Sequence, residues 1–75
     1  MIIMNKSHLV KKSFRLTGHA TSIALEPIFW TVLQEMAKRQ GISMAALVSA
    51  VDQETPPNLA SALRVLVVKF LQKKA

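Results

Sequence analysis

A mainly α chain with a short β-ribbon ahead of its helices is the fold this sequence predicts. Three observations predict it. Two runs alternate apolar and polar residues on either side of Gly18, Pro27 precedes an apolar stripe of helical period, and breakers at Gly41 and Pro56-Pro57 divide the remainder into three helices.

In the first run, residues 13–17, Phe14 and Leu16 stand between polar Ser13, Arg15 and Thr17. In the second, 21–25, Ile23 and Leu25 stand between Ser22, Ala24 and their neighbours. Period two with aromatic and β-branched members is a strand pattern, and Gly18 can supply the positive φ of a hairpin turn. Proline holds the residue before it extended, so Glu26-Pro27 fixes where the second strand ends. The first run has no such stop and reads as a strand or a loose arm. Residues 1–12 show no clear period and read as a mobile basic arm, which leaves 13–75 as a single domain.

Pro27 suits a first helical position, where its missing N–H would be unpaired anyway. Phe29, Val32, Leu33, Met36 and Ala37 then form one apolar stripe. Lys38 and Arg39 favour the carbonyl end of the helix and Gly41 suits its C′ position, giving a helix over 27–40. Ser43 is an N-cap with Ile42 placed as a hydrophobic staple, and a second helix follows over 44–53 with Met44, Leu47, Val48 and Val51 on one side. Pro56-Pro57 ends that segment. Asn58 can cap a third helix over 59–73, whose apolar residues cover most of its circumference.

A 75-residue domain buries only about 60% of its unfolded surface, yet 51% of these residues are apolar and mean hydropathy is +0.29. The surplus needs a membrane or a partner. No apolar run approaches the roughly 18–20 residues that span a bilayer, and Met1-Ile2-Ile3-Met4 is too short for the core of a signal peptide. Self-association is therefore expected, in a chain without cysteines that fits a cytoplasmic setting. The net charge of +6 is concentrated at the two ends. Lys6, Lys11, Lys12 and Arg15 precede any acid, and Arg64, Lys69, Lys73 and Lys74 follow the last one. Basic ends on a small chain point to a polyanion, usually nucleic acid, although they would also keep an apolar dimer in solution.

The order strand, proline-started helix, Gly-x-Ser turn and second helix resembles the ribbon-helix-helix family. Ser22-Ile23-Ala24-Leu25-Glu26-Pro27, Leu33 with Ala37, Gly41-Ile42-Ser43, and Leu47-Val48 carry the resemblance. It is closest to a branch with a Gly-His-x-Thr-Ser segment (Gly18 to Ser22), a Leu-Glu-Pro-x-Phe-Trp helix start (Leu25 to Trp30) and an Asn-Leu-x-Ser-Ala-Leu-Arg segment (Asn58 to Arg64). The resemblance implies a ribbon-helix-helix dimer, here with an added N-terminal strand or arm and a third C-terminal helix. It further implies that strands from two chains pair as an antiparallel ribbon in the DNA major groove, which is wide enough to take one. Outward strand side chains, here Ser22 and Ala24, would then face base edges. Ser43 and the N–H groups of Met44 and Ala45 would hold a phosphate at the second helix's N-terminus.

Ser22 and Ala24 are blunt readers beside the bidentate Arg, Lys, Asn or Gln of strong base contacts. Arg15 and Thr17 would supply reach if 13–17 pairs beside the ribbon. Otherwise Lys11, Lys12 and Arg15 would grip phosphates without sequence preference. The DNA-facing candidates are thus Lys11, Lys12, Arg15, Thr17, Ser22, Ala24, Ser43 and Met44. Trp30 sits off the main stripe, at a core edge or a dimer contact, and Arg64 is expected to pair with a carboxylate, for which Asp52 and Glu54 are candidates, or to cap a neighbour rather than meet DNA.

Catalysis is not expected. His8 and His19 lack a second ligand at metal spacing, Glu26 and Glu35 fall on opposite sides of a helix, and there is no phosphate loop or nucleophile elbow. Nothing asks for a cofactor or a metal. The expected partners are DNA and a second copy, with a higher oligomer or a protein partner (antitoxin- or adaptor-like) as the alternative.

Overall fold

A computed structural model describes residues 8–74 as two antiparallel strands followed by three helices. Strand β1 (Val10–Leu16) pairs with β2 (His19–Leu25), and α1 (Pro27–Gln40), α2 (Met44–Asp52) and α3 (Leu59–Lys74) follow.

The hairpin turns on Thr17 and Gly18, and Gly18 has φ +84°, the positive value required at the third position of a type II turn. A Cβ there would meet nothing within 4 Å, so backbone torsion rather than space makes glycine the fitting residue. Val10 lies opposite Leu25, Lys12 opposite Ile23, and Phe14 opposite Thr21. Paired residues share a face, so these line the inner side of the sheet. Ile23 and Leu25 are buried there, as their alternation predicts.

The first strand therefore reaches back to Val10, and the arm expected over 1–12 is corrected. Residues 10–12 are strand, and Met1 to Ser7 lie outside the described residues. The alternation was hidden because an inner position is held by Lys12, whose ammonium lies 5.7 Å from the centre of the Trp30 ring. Thr17, expected to end that strand, belongs to the turn. Trp30 anchors β1 to α1. It is buried, its indole N–H donates to the Val10 carbonyl at 2.8 Å, and its ring centre lies 5.9 Å from that of Phe14.

The helix ends follow their chemistry. Gly41 adopts φ +70°, and the Ile42 N–H reaches back to the Ala37 carbonyl at 3.0 Å, closing α1. Ser43 Oγ accepts the Ala46 N–H at 3.0 Å, and the Asn58 side chain accepts the Ser61 N–H at 2.9 Å. Between α2 and α3, Thr55 has φ +51°, a left-handed backbone that its branched Cβ opposes. Thr55→Asn is expected to relieve about 0.5–1 kcal/mol and raise the melting temperature by a few degrees. A lower midpoint in a thermal melt would contradict that.

The core closes within one chain. Leu25, Leu33, Val48 and Leu63 are wholly buried, drawing on β2, α1, α2 and α3 in turn. Each such side chain stabilises the fold by about 1.5–3 kcal/mol through burial. The third helix thus absorbs much of the apolar surplus that the composition assigned to a partner. What stays outside includes Val65, Val68 and Leu71 on α3.

Candidate nucleic-acid interface

The outer face of the hairpin follows from its register. Lys11 lies opposite Ala24, Ser13 opposite Ser22, and Arg15 opposite Ala20, all turned away from the core. Neither strand carries an acid. Lys11 and Arg15, four residues apart on an extended strand, stand roughly 13 Å from one another along the ribbon. Between them the Ser13 and Ser22 hydroxyls bond to each other at 2.8 Å. Two hydroxyl protons are thereby reduced to one that is free for another acceptor. Ala24 offers only a methyl group. The face is therefore cationic along β1 and small, nearly apolar, along β2.

Of the expected residues, Lys11, Arg15, Ser22 and Ala24 share this face, whereas Lys12 does not. It turns to the inner side and lines a cleft of about 410 Å³ with Ser13, Phe14, Trp30, Gln34 and Met44. That cleft brings Lys12 to the N-terminus of α2. The Ser43 hydroxyl caps the Ala46 N–H, and the first turn of a helix leaves the amides of Met44 and Ala45 without intrahelical partners. An ammonium and a positive helix end are thus set beside the outer strand, an arrangement suited to a phosphate. Thr17 is exposed in the hairpin turn, apart from both groups.

Four residues of the site lie outside the expected set. Ser13 joins the face through its cross-strand partner, Phe14 lines the cleft from β1, and Trp30 and Gln34 line it from α1. Only the strand register could have revealed Ser13, and that register depends on where β1 begins.

Two contacts fix the face on the body. His19 Nε2 lies 3.6 Å from the Asp52 carboxylate, joining the hairpin to the end of α2. Arg64 pairs with a carboxylate, as its setting predicts, but the partner is Glu26 rather than Asp52 or Glu54: its Nε donates to Glu26 at 3.0 Å, and the guanidinium lies 5.8 Å from the centre of the Phe29 ring. Glu26 is where β2 gives way to α1, so its capture by α3 ties three elements together. Its own backbone N–H and then Arg64 hold the Glu26 carboxyl below its ordinary value of 4.5. A depressed carboxylate pKa adds stability that is present above the unfolded value and lost as pH falls through the folded one. Glu26→Gln is accordingly expected to flatten the decline in melting temperature below about pH 4.5, while an unaltered acid limb would refute the coupling.

Comparison with known proteins agrees with this architecture. A family model described as a ribbon-helix-helix domain matches residues 9–71. No curated protein matches the chain. Among solved structures, an uncharacterized protein from Bordetella pertussis Tohama I is similar, with a TM-score of 0.77 and 35% identity over 84% of this chain. The match covers 55% of that protein, so this chain spans about half its length.

Proposed function

Because this chain belongs to the ribbon-helix-helix family, whose fold serves DNA-binding regulators and antitoxins, we propose that it is a homodimeric DNA-binding regulator that meets the duplex with the outer face of its hairpin. The observation that carries the reading is the acid-free outer face on which Lys11 and Arg15 flank Ser13 and Ser22.

A β-ribbon that takes strands from two chains needs an unpaired edge, and the two-stranded sheet has two. The β1 edge strand carries Lys11, Lys12 and Arg15, and charges on an edge strand discourage further pairing. The β2 strand is uncharged apart from His19 at its start. A two-residue hairpin closes on a hydrogen-bonded pair, Leu16 with His19, and the alternation of antiparallel pairs then turns the N–H and C=O groups of Ala20, Ser22 and Ala24 to the free edge. Pairing there orders four strands as β1-β2-β2-β1. At about 4.8 Å per strand the two outer strands stand roughly 14 Å apart, wider than the groove of about 12 Å. Ser22 and Ala24 then lie over base edges, while Lys11, Arg15 and the Lys12–Met44 cleft address the phosphate walls. Binding of this kind is strong in charge and weak in sequence, with DNA shape supplying selectivity.

The test is fluorescence anisotropy on duplex fragments between 50 and 200 mM salt. Affinity should fall steeply, because each phosphate neutralised releases counterions. Absence of binding at the low-salt end would overturn the reading. A second reading, a protein-interaction module such as an antitoxin or adaptor, is favoured by the short side chains of Ser22 and Ala24. It predicts a co-purifying protein and indifference to DNA.

A further inference from the structure

We infer that the outer face of α3 forms the second half of the interface between two copies of this chain, beneath the paired β2 edges. The inference rests on the homodimer proposed above and specifies a surface that the strand edge does not provide.

Val65, Val68 and Leu71 are 52%, 47% and 45% exposed, whereas Leu63 and Val67 on the same helix are 0% and 2%. Spacing of three and six residues puts the exposed trio along one stripe, turned away from the core. At helical spacing the neighbours of Val68 are Arg64, Val65, Leu71 and Gln72. Among them only Arg64 is charged, and Glu26 neutralises it at 3.0 Å. At the rim of the stripe Val65 shares a groove with Val51 and Leu66, and that groove carries two charges of opposite sign, Lys69 and Glu54. The centre of the stripe is thus apolar and free of uncompensated charge, which suits neither a polyanion nor an acidic peptide but suits its own copy.

Placement decides the occupant. Beneath the sheet, α2 packs under β1 and α3 packs under β2, so α3 occupies the side of the molecule on which the β2 edge is unpaired. An antiparallel β2-β2 pair sets its two-fold axis perpendicular to the sheet, and the element beneath each β2 is carried towards its own copy across that axis. Area points the same way. A seven-residue edge that turns Ala20, Ser22 and Ala24 outward falls short of the roughly 800 Å² per partner of a stable interface. The apolar stripe on the same side supplies surface of the kind that is missing.

The experiment is sedimentation equilibrium of the full chain as wild type, as Val65→Glu/Val68→Glu, and as Ala24→Pro. The wild type should be a dimer at low micromolar concentration. The glutamate pair should weaken association by about 100-fold or more through like charges facing across the axis. Far-UV circular dichroism and the melting midpoint of the dilute monomer should not change, because both sites are already half exposed. Ala24→Pro removes an N–H from the free edge only and should also yield monomer. If the glutamate variant remains as dimeric as the wild type while Ala24→Pro dissociates, the stripe is not in the interface and the inference fails, with the dimer intact. A wild type that is monomeric at 100 µM (about fifty times a low-micromolar constant) would overturn both the dimer and the stripe.

Discussion

Replacing Lys11 and Arg15 together by glutamine is expected to produce the largest functional loss that leaves the fold unaltered. Both side chains stand on the exposed outer face, and neither makes an ion pair among the described residues. Removing them should therefore leave the melting temperature nearly unchanged. In a dimer the double substitution deletes four phosphate contacts at roughly 0.9 each, so the slope of log K against log salt should become shallower by about 3–4. Affinity near 100 mM salt should fall by orders of magnitude, and equally on every duplex, because phosphates carry no sequence information. The readout is an anisotropy titration on one genomic and one scrambled fragment. Loss confined to a single fragment would make Lys11 or Arg15 a base reader. An unchanged slope would remove the hairpin face from the DNA contact altogether.

Leu63→Ala is expected to have the largest structural effect. Leu63 is wholly buried on α3, in one cluster with the buried side chains of β2, α1 and α2. Truncating such a leucine costs about 2–5 kcal/mol, the lost transfer energy plus the cavity left behind. Total stability for a domain of this size is on the order of 4–11 kcal/mol, so the variant should be partly or wholly unfolded at 37 °C. A urea titration followed by circular dichroism measures this directly. A cost below about 1 kcal/mol would mean that α3 is an appendage and that the core is completed by something else. The result bears on function too, because α3 holds Glu26 through Arg64 and so fixes the angle at which the hairpin leaves the body.

Much of this fold could be read from local chemistry. Pro27 and Gly41 set the limits of the first helix, Ser43 and Asn58 begin the next two, and both caps make the bonds that their types suggest. These are short-range effects, decided within four residues by which backbone groups lack a partner. The inward set Ile23 and Leu25 was equally legible, since period two has a single solution once one face is buried. The start of β1 was not legible. Its alternation is broken by Lys12, which occupies an inner position because an aromatic ring from another element lies there to receive its charge. Arg64 pairs with a residue 38 positions away rather than with the nearer acids, for the same kind of reason.

The candidate site divides along the same line. The presence of a cationic, acid-free segment before the first helix, and a capped helix end after Gly41, belonged to the sequence alone. Which cations share a face did not. Lys11 and Lys12 are adjacent in the chain and chemically alike, yet the pleat sends one outward beside Ala24 and the other into the cleft with Met44. Tertiary structure also decided that both strands of the hairpin come from one chain and that α3 closes the core beneath it. Propensity, caps and periodicity act through neighbours in sequence and so are written in the sequence. Register, long-range ion pairs and the closure of a core depend on surfaces that meet only after the chain has folded.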